Sequence, residues 1–488
     1  MLPELDRAEL GSHPDAFGQT RETFRTFLDA RVDLGDWELG WLTGYNSVDL
    51  GAVTDATRGI PTFYRYRTPT GAIRTFQTAI LRDEGNPTFR EFSQEIRLTS
   101  PQDRRIRGSF GGYYFLGDQT RPNFDGVVTE PLPADFAATF PVPGVWATFF
   151  DGVMYDKTVT REVENISAFG YLEGDLTSRL TLRGELRYGY ERQRTTRPAS
   201  NIGTPAAAID KELSFRTWTP RVSLDFQPND DVLLYTSAAR GSKPGGFDLQ
   251  APTEQYEPEY NWTYEIGAKV AAWDGRVNLD LNAFYIDWTQ IQIPVLDQSQ
   301  APPVAITRNL GDATSKGFEA NVRFRPTQEF SGSIGMAYTD ARYTSALNAG
   351  YAQFPSFAPN GDVSGQRLQA APKWQFTGSL DYRVPAFANY ESFYRLDASY
   401  RDESFMDATN LTIIPSRTLV NGRVGLENDR YRVEVFAENL LDDRNPTFAF
   451  RDVFLSNFVN NAAVIFTPRV TVSHPRGREF GIRASARF

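Results

Sequence analysis

The sequence predicts an all-β protein, an antiparallel up-and-down transmembrane β-barrel. Apolar and polar residues alternate with period two over segments of about ten residues, which places them on opposite faces of strands. The connections between these segments fall into a short class and a long class that alternate strictly along the chain. No segment reaches the roughly 18 consecutive apolar residues of a membrane-spanning helix, and no helical periodicity of comparable length separates the strands.

Taken in order, about seventeen strands are expected, near 20–33, 36–50, 90–99, 105–117, 163–176, 178–192, 213–226, 230–241, 259–272, 276–291, 312–325, 329–343, 373–385, 392–402, 417–427, 430–441 and 477–488. In SRLTLRGELRYGYE, Leu180, Leu182, Leu186, Tyr188 and Tyr190 form the apolar set against Thr181, Arg183, Glu185 and Arg187. In NWTYEIGAKV, Trp262, Tyr264, Ile266, Ala268 and Val270 oppose Asn261, Thr263, Glu265 and Lys269. FSGSIGMAYT sets Phe330, Ile334, Met336 and Tyr338 against Ser331, Ser333 and Thr339. The last strand, GREFGIRASARF, sets Phe480, Ile482, Ala484, Ala486 and Phe488 against Arg483 and Arg487.

A soluble β-sandwich also alternates, but its loops do not sort by length into two classes across so many strands, and its strands are shorter. Strands of ten or more residues match a tilted transmembrane strand. In a membrane barrel the apolar face turns outward to lipid and the polar face inward to a wet lumen. Arg183, Glu185, Arg187, Lys269, Glu319, Arg323, Asp381, Arg423 and Arg483 then face water, whereas a sandwich core would bury them at prohibitive cost.

Composition narrows the function. The chain has no cysteine, which excludes disulfides and thiolate metal sites. Its only histidines, His13 and His474, are too far apart in sequence for a zinc cluster, so no metal site is expected. A net charge of −10 without any basic block argues against nucleic acid. An enzyme is not expected: His474 could face Ser473 or Ser456, but no Gly-x-Ser-x-Gly elbow is present. Gly245-Gly246 precedes no helix, so it does not read as a phosphate loop. The N-terminus MLPELDRAELGSHPD has neither the basic nor the apolar region of a signal peptide.

Several stretches resemble the barrel signatures of TonB-dependent receptors, the plugged transporters of Gram-negative outer membranes. FSQEIRLTSP (Phe92–Pro101) resembles an early Gln-Glu-x-Arg motif with a Ser-Pro turn, and TPRVSLDFQPNDDVLLYTSAARGSKPGGF (Thr219–Phe247) a mid-barrel hairpin ending in Gly-Gly-Phe. YEPEYNWTYEIGAKV (Tyr256–Val270) and NLGDATSKGFEANV (Asn309–Val322) resemble the next two strands, APKWQFTGSLDY and VFAENLLDDR late segments, and Phe488 the terminal aromatic. The motifs keep family order from Phe92 to Phe488.

The resemblance implies a 22-stranded barrel of which about 17 strands are visible. The whole of 1–488 then reads as barrel domain: 1–19 as part of an extracellular loop, 20–488 as strands, with plug domain and signal peptide absent and the chain a C-terminal fragment. It also implies outer-membrane localisation and uptake of a scarce nutrient of the ferric siderophore, cobalamin or oligosaccharide class. Partners would be outer-membrane lipid, a small-molecule or metal-chelate substrate, and the TonB complex through the plug alone. No cofactor is expected. The alternative is a passive porin-like channel.

Ligand contact is expected on the aromatic extracellular loops, because aromatics stack on sugars and catechols while Arg neutralises carboxylates. The candidates are Phe63, Tyr64, Arg65, Tyr66, Arg67 and Arg74 in TFYRYRTPTGAIRTFQ, and Phe124, Trp146, Phe149, Phe150 and Tyr155 in the 118–162 connection. Loop–loop packing or a membrane-interface girdle is the competing use for any one of them.

Overall fold

The computed structural model describes residues 18–55, 62–68, 70–78, 80–83, 85–122, 124–128, 133–137, 152–155, 158–199, 207–248, 254–297, 304–348, 359–451, 470–473 and 475–487. Both histidines, Ser456, Phe488 and nearly all of the expected 1–19 loop lie outside these residues.

Seventeen strands form one antiparallel wall. They are β1 (Gly18–Leu34), β2 (Trp37–Asp55), β3 (Thr88–Thr99), β4 (Ile106–Arg121), β5 (Val159–Thr177), β6 (Leu180–Arg197), β7 (Ile209–Asn229), β8 (Val232–Lys243) and β9 (Glu259–Ala272). The series continues with β10 (Val277–Thr289), β11 (Gly311–Phe324), β12 (Phe330–Ala346), β13 (Trp374–Pro385), β14 (Glu391–Arg401), β15 (Arg417–Glu427), β16 (Tyr431–Glu438) and β17 (Glu479–Ala486). Each pairs with its chain neighbours, the order of an up-and-down meander. Among the described residues β1 and β17 do not pair with each other, and every residue of β1 except Ala30 is exposed.

Every expected strand is present, with differences at the ends that have physical causes. At the rim of long connections β6 runs on to Arg197 and β7 begins at Ile209, because there the outward side chains (Arg192, Arg194, Asp210 and Glu212) are as polar as the inward ones and alternation vanishes. Two strands stop early. Gln290 (φ 58°) ends β10 and Asn439 (φ 50°) follows β16, left-handed conformations that a strand cannot continue through.

The faces sort as parity demands. Outward lie exposed Ile166, Leu172, Leu186, Ile266, Ile334, Leu396, Val435 and Ile482. On the inner face, aromatic rings pack against glycines of the neighbouring strand: Phe169 on Gly111, Tyr235 on Gly267, Phe284 on Gly317, Phe393 on Gly425 and Phe436 on Gly481. A Cβ at any of these glycines would collide with the ring, so the pairs fill the wall without strain.

Beyond the wall the long connections build their own structure. Hairpins join 62–67 to 73–78, 292–297 to 304–309 and 448–451 to 470–473. Ile291, Ile293, Ala313, Tyr343, Ala346, Val363 and Ala408 pack into a core beneath the later loops.

Candidate ligand-binding rim and lumenal wall

The inner face carries two ladders of ion pairs. On β4 to β6, Arg107 pairs with Glu173 and with Asp175 at 2.8 Å. Arg183 pairs with Glu185 at 3.0 Å and stacks 4.2 Å from the centre of the Tyr171 ring. On β13 to β17 the chain is longer. Arg395 reaches Asp381 at 3.1 Å and Asp397 at 2.8 Å, and Arg383 reaches Asp381 at 3.3 Å and also Glu427. Glu434, with a side chain only 3 % exposed, accepts from Arg432 and Arg483, each at 2.8 Å. Arg432 also lies 4.1 Å over the ring of Phe393, which is 1 % exposed. The lumenal positions expected from parity are therefore inside, and most hold a partner. Glu265 accepts from Tyr235 at 2.5 Å, and Glu319 from Asn282 at 3.0 Å.

At the rim of long connections, the Gly-Gly-Phe segment folds back over the inner wall. Phe247 is 2 % exposed, its carbonyl accepts from Arg161 on β5, and Gln193 on β6 donates to the carbonyl of Gly245 at 2.9 Å. Side chains at Gly245 and Gly246 would run into Phe215, Tyr256 and Gln193, so close packing is what these glycines serve. Polar clasps hold the neighbouring loops. Asp248 accepts from the backbone N–H of Thr307 at 2.9 Å, and Asn309 donates to the carbonyls of Glu257 at 2.9 Å and Gln290 at 2.7 Å. Arg308 pairs with Glu254 at 3.4 Å, and Asn410 accepts from the N–H of Arg367 at 2.8 Å.

Carboxylates in these connections are held in the ionised form. Hydrogen bonds from the Arg444 side chain and the Arg478 backbone lower the pKa of Asp442, and Ser364 does the same for Asp362. Among the described residues no cluster of His, Asp and Glu has the arrangement of a metal site.

The expected ligand-contact residues are brought partly together. Phe63, Tyr64, Arg65, Tyr66 and Arg67 stand in one strand of the 62–78 hairpin, with Tyr64 opposite Phe76 and Tyr66 opposite Arg74. Arg74 pairs at 2.8 Å with Asp135, in the long connection that follows β4. Phe124 is register partner of Tyr155, and residues 80–83 bridge the end of β2 to 125–128. Trp146, Phe149 and Phe150 lie outside the described residues. Sequence reasoning missed Asp135 and the Gly-Gly-Phe clasp, whose only signals were a lone carboxylate in a Pro-rich stretch and the glycine pair itself.

Comparison with known proteins fits this geometry. Residues 5–440 match the family model described as TonB dependent receptor-like, beta-barrel, a span that also takes in β1 and β2, upstream of the first recognised motif. The pesticin receptor of Yersinia pestis is 22% identical over 300 residues, 59% of this chain and 40% of that protein. The metal-pseudopaline receptor of Pseudomonas aeruginosa is 27% identical over 200 residues, 41% of this chain and 25% of that protein. Among solved structures, the ferric yersiniabactin uptake receptor of Yersinia pestis superposes with a TM-score of 0.71 at 17% identity, covering 96% of this chain and 62% of that one. The siderophore receptor PiuA of Acinetobacter baumannii gives 0.66 at 17% identity, covering 96% and 64%. At these identities the superpositions show the fold, and the chain spans under two thirds of each of these relatives. These relatives are receptors, not enzymes. The chain belongs to the TonB-dependent receptor-like β-barrels of Gram-negative outer membranes.

Proposed function

We propose that this wall serves a receptor that takes up a scarce nutrient, a siderophore-bound or otherwise chelated metal, with import energised through the TonB complex. The observation that carries the proposal is the rim built from the 62–78 hairpin and the connection after β4, tied by Arg74 to Asp135 and by residues 80–83 to 125–128. Phe63, Tyr64, Arg65, Tyr66 and Arg67 belong to that hairpin by sequence, and Phe124, Trp146, Phe149, Phe150 and Tyr155 to that connection. Aromatic faces and guanidinium groups together suit a flat anionic chelate. The names of the metal-pseudopaline receptor and the ferric yersiniabactin uptake receptor agree with that class of cargo.

The test is binding of a panel of ferric chelates to the reconstituted protein, followed by quenching of tryptophan fluorescence. One chelate should bind in the micromolar range or tighter, and Tyr66→Ala with Arg67→Ala should weaken it at least about tenfold, the equivalent of about 1.4 kcal/mol. Steady conductance in planar bilayers with no chelate bound would favour passive diffusion and overturn the proposal.

A further inference from the structure

The outer face carries a feature that nutrient uptake does not use. Going round the wall at one height, Tyr188 on β6 faces Trp218 on β7, Arg240 on β8 faces Trp262 on β9, and Tyr264 faces Tyr285 on β10. All lie on the outward parity of their strands, and Trp218, Tyr264 and Tyr285 are more than 40 % exposed. Arg240 stands nine residues above Asp231 in the short turn, so at roughly 2.5 Å of height per tilted residue it sits about 23 Å up an apolar band about 25 Å tall. This is the aromatic girdle at the rim of long connections, the level of the outer-leaflet headgroups.

Within that girdle two arginines lack the ion pairs that hold several other outward arginines. Arg192 pairs with Glu164 at 2.9 Å, Arg194 with Asp210 at 2.8 Å and Arg342 with Asp340 at 3.0 Å. Arg240 has no carboxylate partner among the described residues. Its guanidinium is held between two rings, 4.8 Å from the centre of Trp218 and 4.1 Å from that of Tyr260, and one N–H donates to the Trp218 carbonyl at 2.9 Å. Arg216, two residues from Trp218 on the same face, likewise has no carboxylate partner among the described residues, and it stands opposite Tyr190. Aromatic clamping fixes the plane of a guanidinium but leaves its charge unneutralised, and its remaining N–H fork matches the oxygens of a phosphate.

We infer that Arg216 and Arg240, set about Trp218, form a site for the phosphate groups of an outer-leaflet lipid. Headgroup phosphates arrive at this height, acyl chains descend the outward apolar face below it, and two unpaired cations meet an anion that the membrane itself supplies. The site fastens the β7–β9 sector of the wall at the outer leaflet.

The experiment is native mass spectrometry of the whole chain in detergent, titrated with bisphosphorylated lipid A and with the same lipid after enzymatic dephosphorylation. The wild type should retain the phosphorylated lipid about tenfold or more better than the dephosphorylated one, a contrast that needs no variant. Arg216→Ala with Arg240→Ala should remove that preference, whereas Arg192→Ala, on the same face but ion-paired, should leave it intact. Inorganic phosphate at millimolar concentration should not displace the lipid. Equal retention of the two lipids, an undiminished preference in the double variant, or displacement by inorganic phosphate would each overturn the proposal.

Discussion

The two faces of the late wall are made from the same strands and obey opposite rules. On the inner face of β13 to β17, Asp381, Arg383, Arg395, Asp397, Glu427, Arg432, Glu434 and Arg483 form a nearly continuous ladder of charges, each satisfied by a neighbour. On the outer face of those strands Leu380, Tyr394, Leu396, Val424, Val435 and Ile482 are all exposed and none is charged. Residues one apart thus face different solvents. Polar groups inside keep water or each other, while outside any polar group must be satisfied at once or stay near the interface.

The strongest way to break this contrast is a charge on the wrong side. Leu172, 63 % exposed on the outward face of β5, lies about 12 Å above the short turn, near mid-bilayer. Leu172→Arg should cost about 3 kcal/mol in urea unfolding from phospholipid vesicles. Thr377→Arg, exposed on the inner face of β13, should cost well under about 1 kcal/mol by the same measurement. Equal penalties would contradict the assignment of faces.

The ladder itself is the next target. Glu434→Gln keeps the shape but leaves Arg432 and Arg483 facing a neutral amide, and because Glu434 is buried the loss should be about 2 kcal/mol. Adding Arg483→Gln should recover part of it in a double-mutant cycle, and strict additivity would show that the pair is not coupled.

The ring-over-glycine pairs sharpen the comparison differently, because they concern shape rather than charge. Gly425→Ala puts a methyl against the Phe393 ring and the Val433 carbonyl, with a cost of about 1 to 2 kcal/mol. Gly184, on the outer face, has open space at its Cβ position, so Gly184→Ala should be neutral or slightly stabilising under the same urea titration.

The smallest effect is a pH response in the long connections. The Asp442 carboxyl is held below the usual carboxylate range by Arg444 and the Arg478 N–H. A depressed folded-state pKa contributes stability above the unfolded pKa and loses it as pH falls through the folded one. Amide protection around residues 439–444, taken relative to the intrinsic exchange rate at each pH, should therefore hold from neutral pH down through the usual carboxylate range and fall only below it, as the carboxyl protonates. Asp442→Asn should show the lower protection throughout.

Much of this wall is legible in the sequence, because a strand with lipid on one side and water on the other must alternate. Leu180 to Tyr190 and Trp262 to Val270 show the rule without help from any neighbour. Legibility fails where both sides are wet. Arg192, Arg194, Asp210 and Glu212 carry their strands beyond the girdle, and the alternation that marks a membrane strand disappears with the lipid. It also fails for features that need two strands at once. Nothing in the sequence near Gly425 names Phe393, and nothing near Glu434 names Arg483, 49 positions away. The ligand rim is harder still. Its aromatic and basic composition is visible at Phe63 to Arg74, but the partnership of Arg74 with Asp135 depends on how two long connections meet.

The central claim is that consecutive residues alternate between lipid and lumen, and the absence of native cysteine makes it directly measurable. Single cysteines placed in turn from Asn261 to Ala268 on β9, leaving out Gly267 under the Tyr235 ring, can be spin-labelled in vesicles and their relaxation measured with dissolved oxygen and with a water-soluble nickel chelate. The account predicts a period of two, with oxygen dominating at residues 262, 264, 266 and 268 and the nickel chelate at 261, 263 and 265. A flat profile, or one with the two sets exchanged, would contradict it.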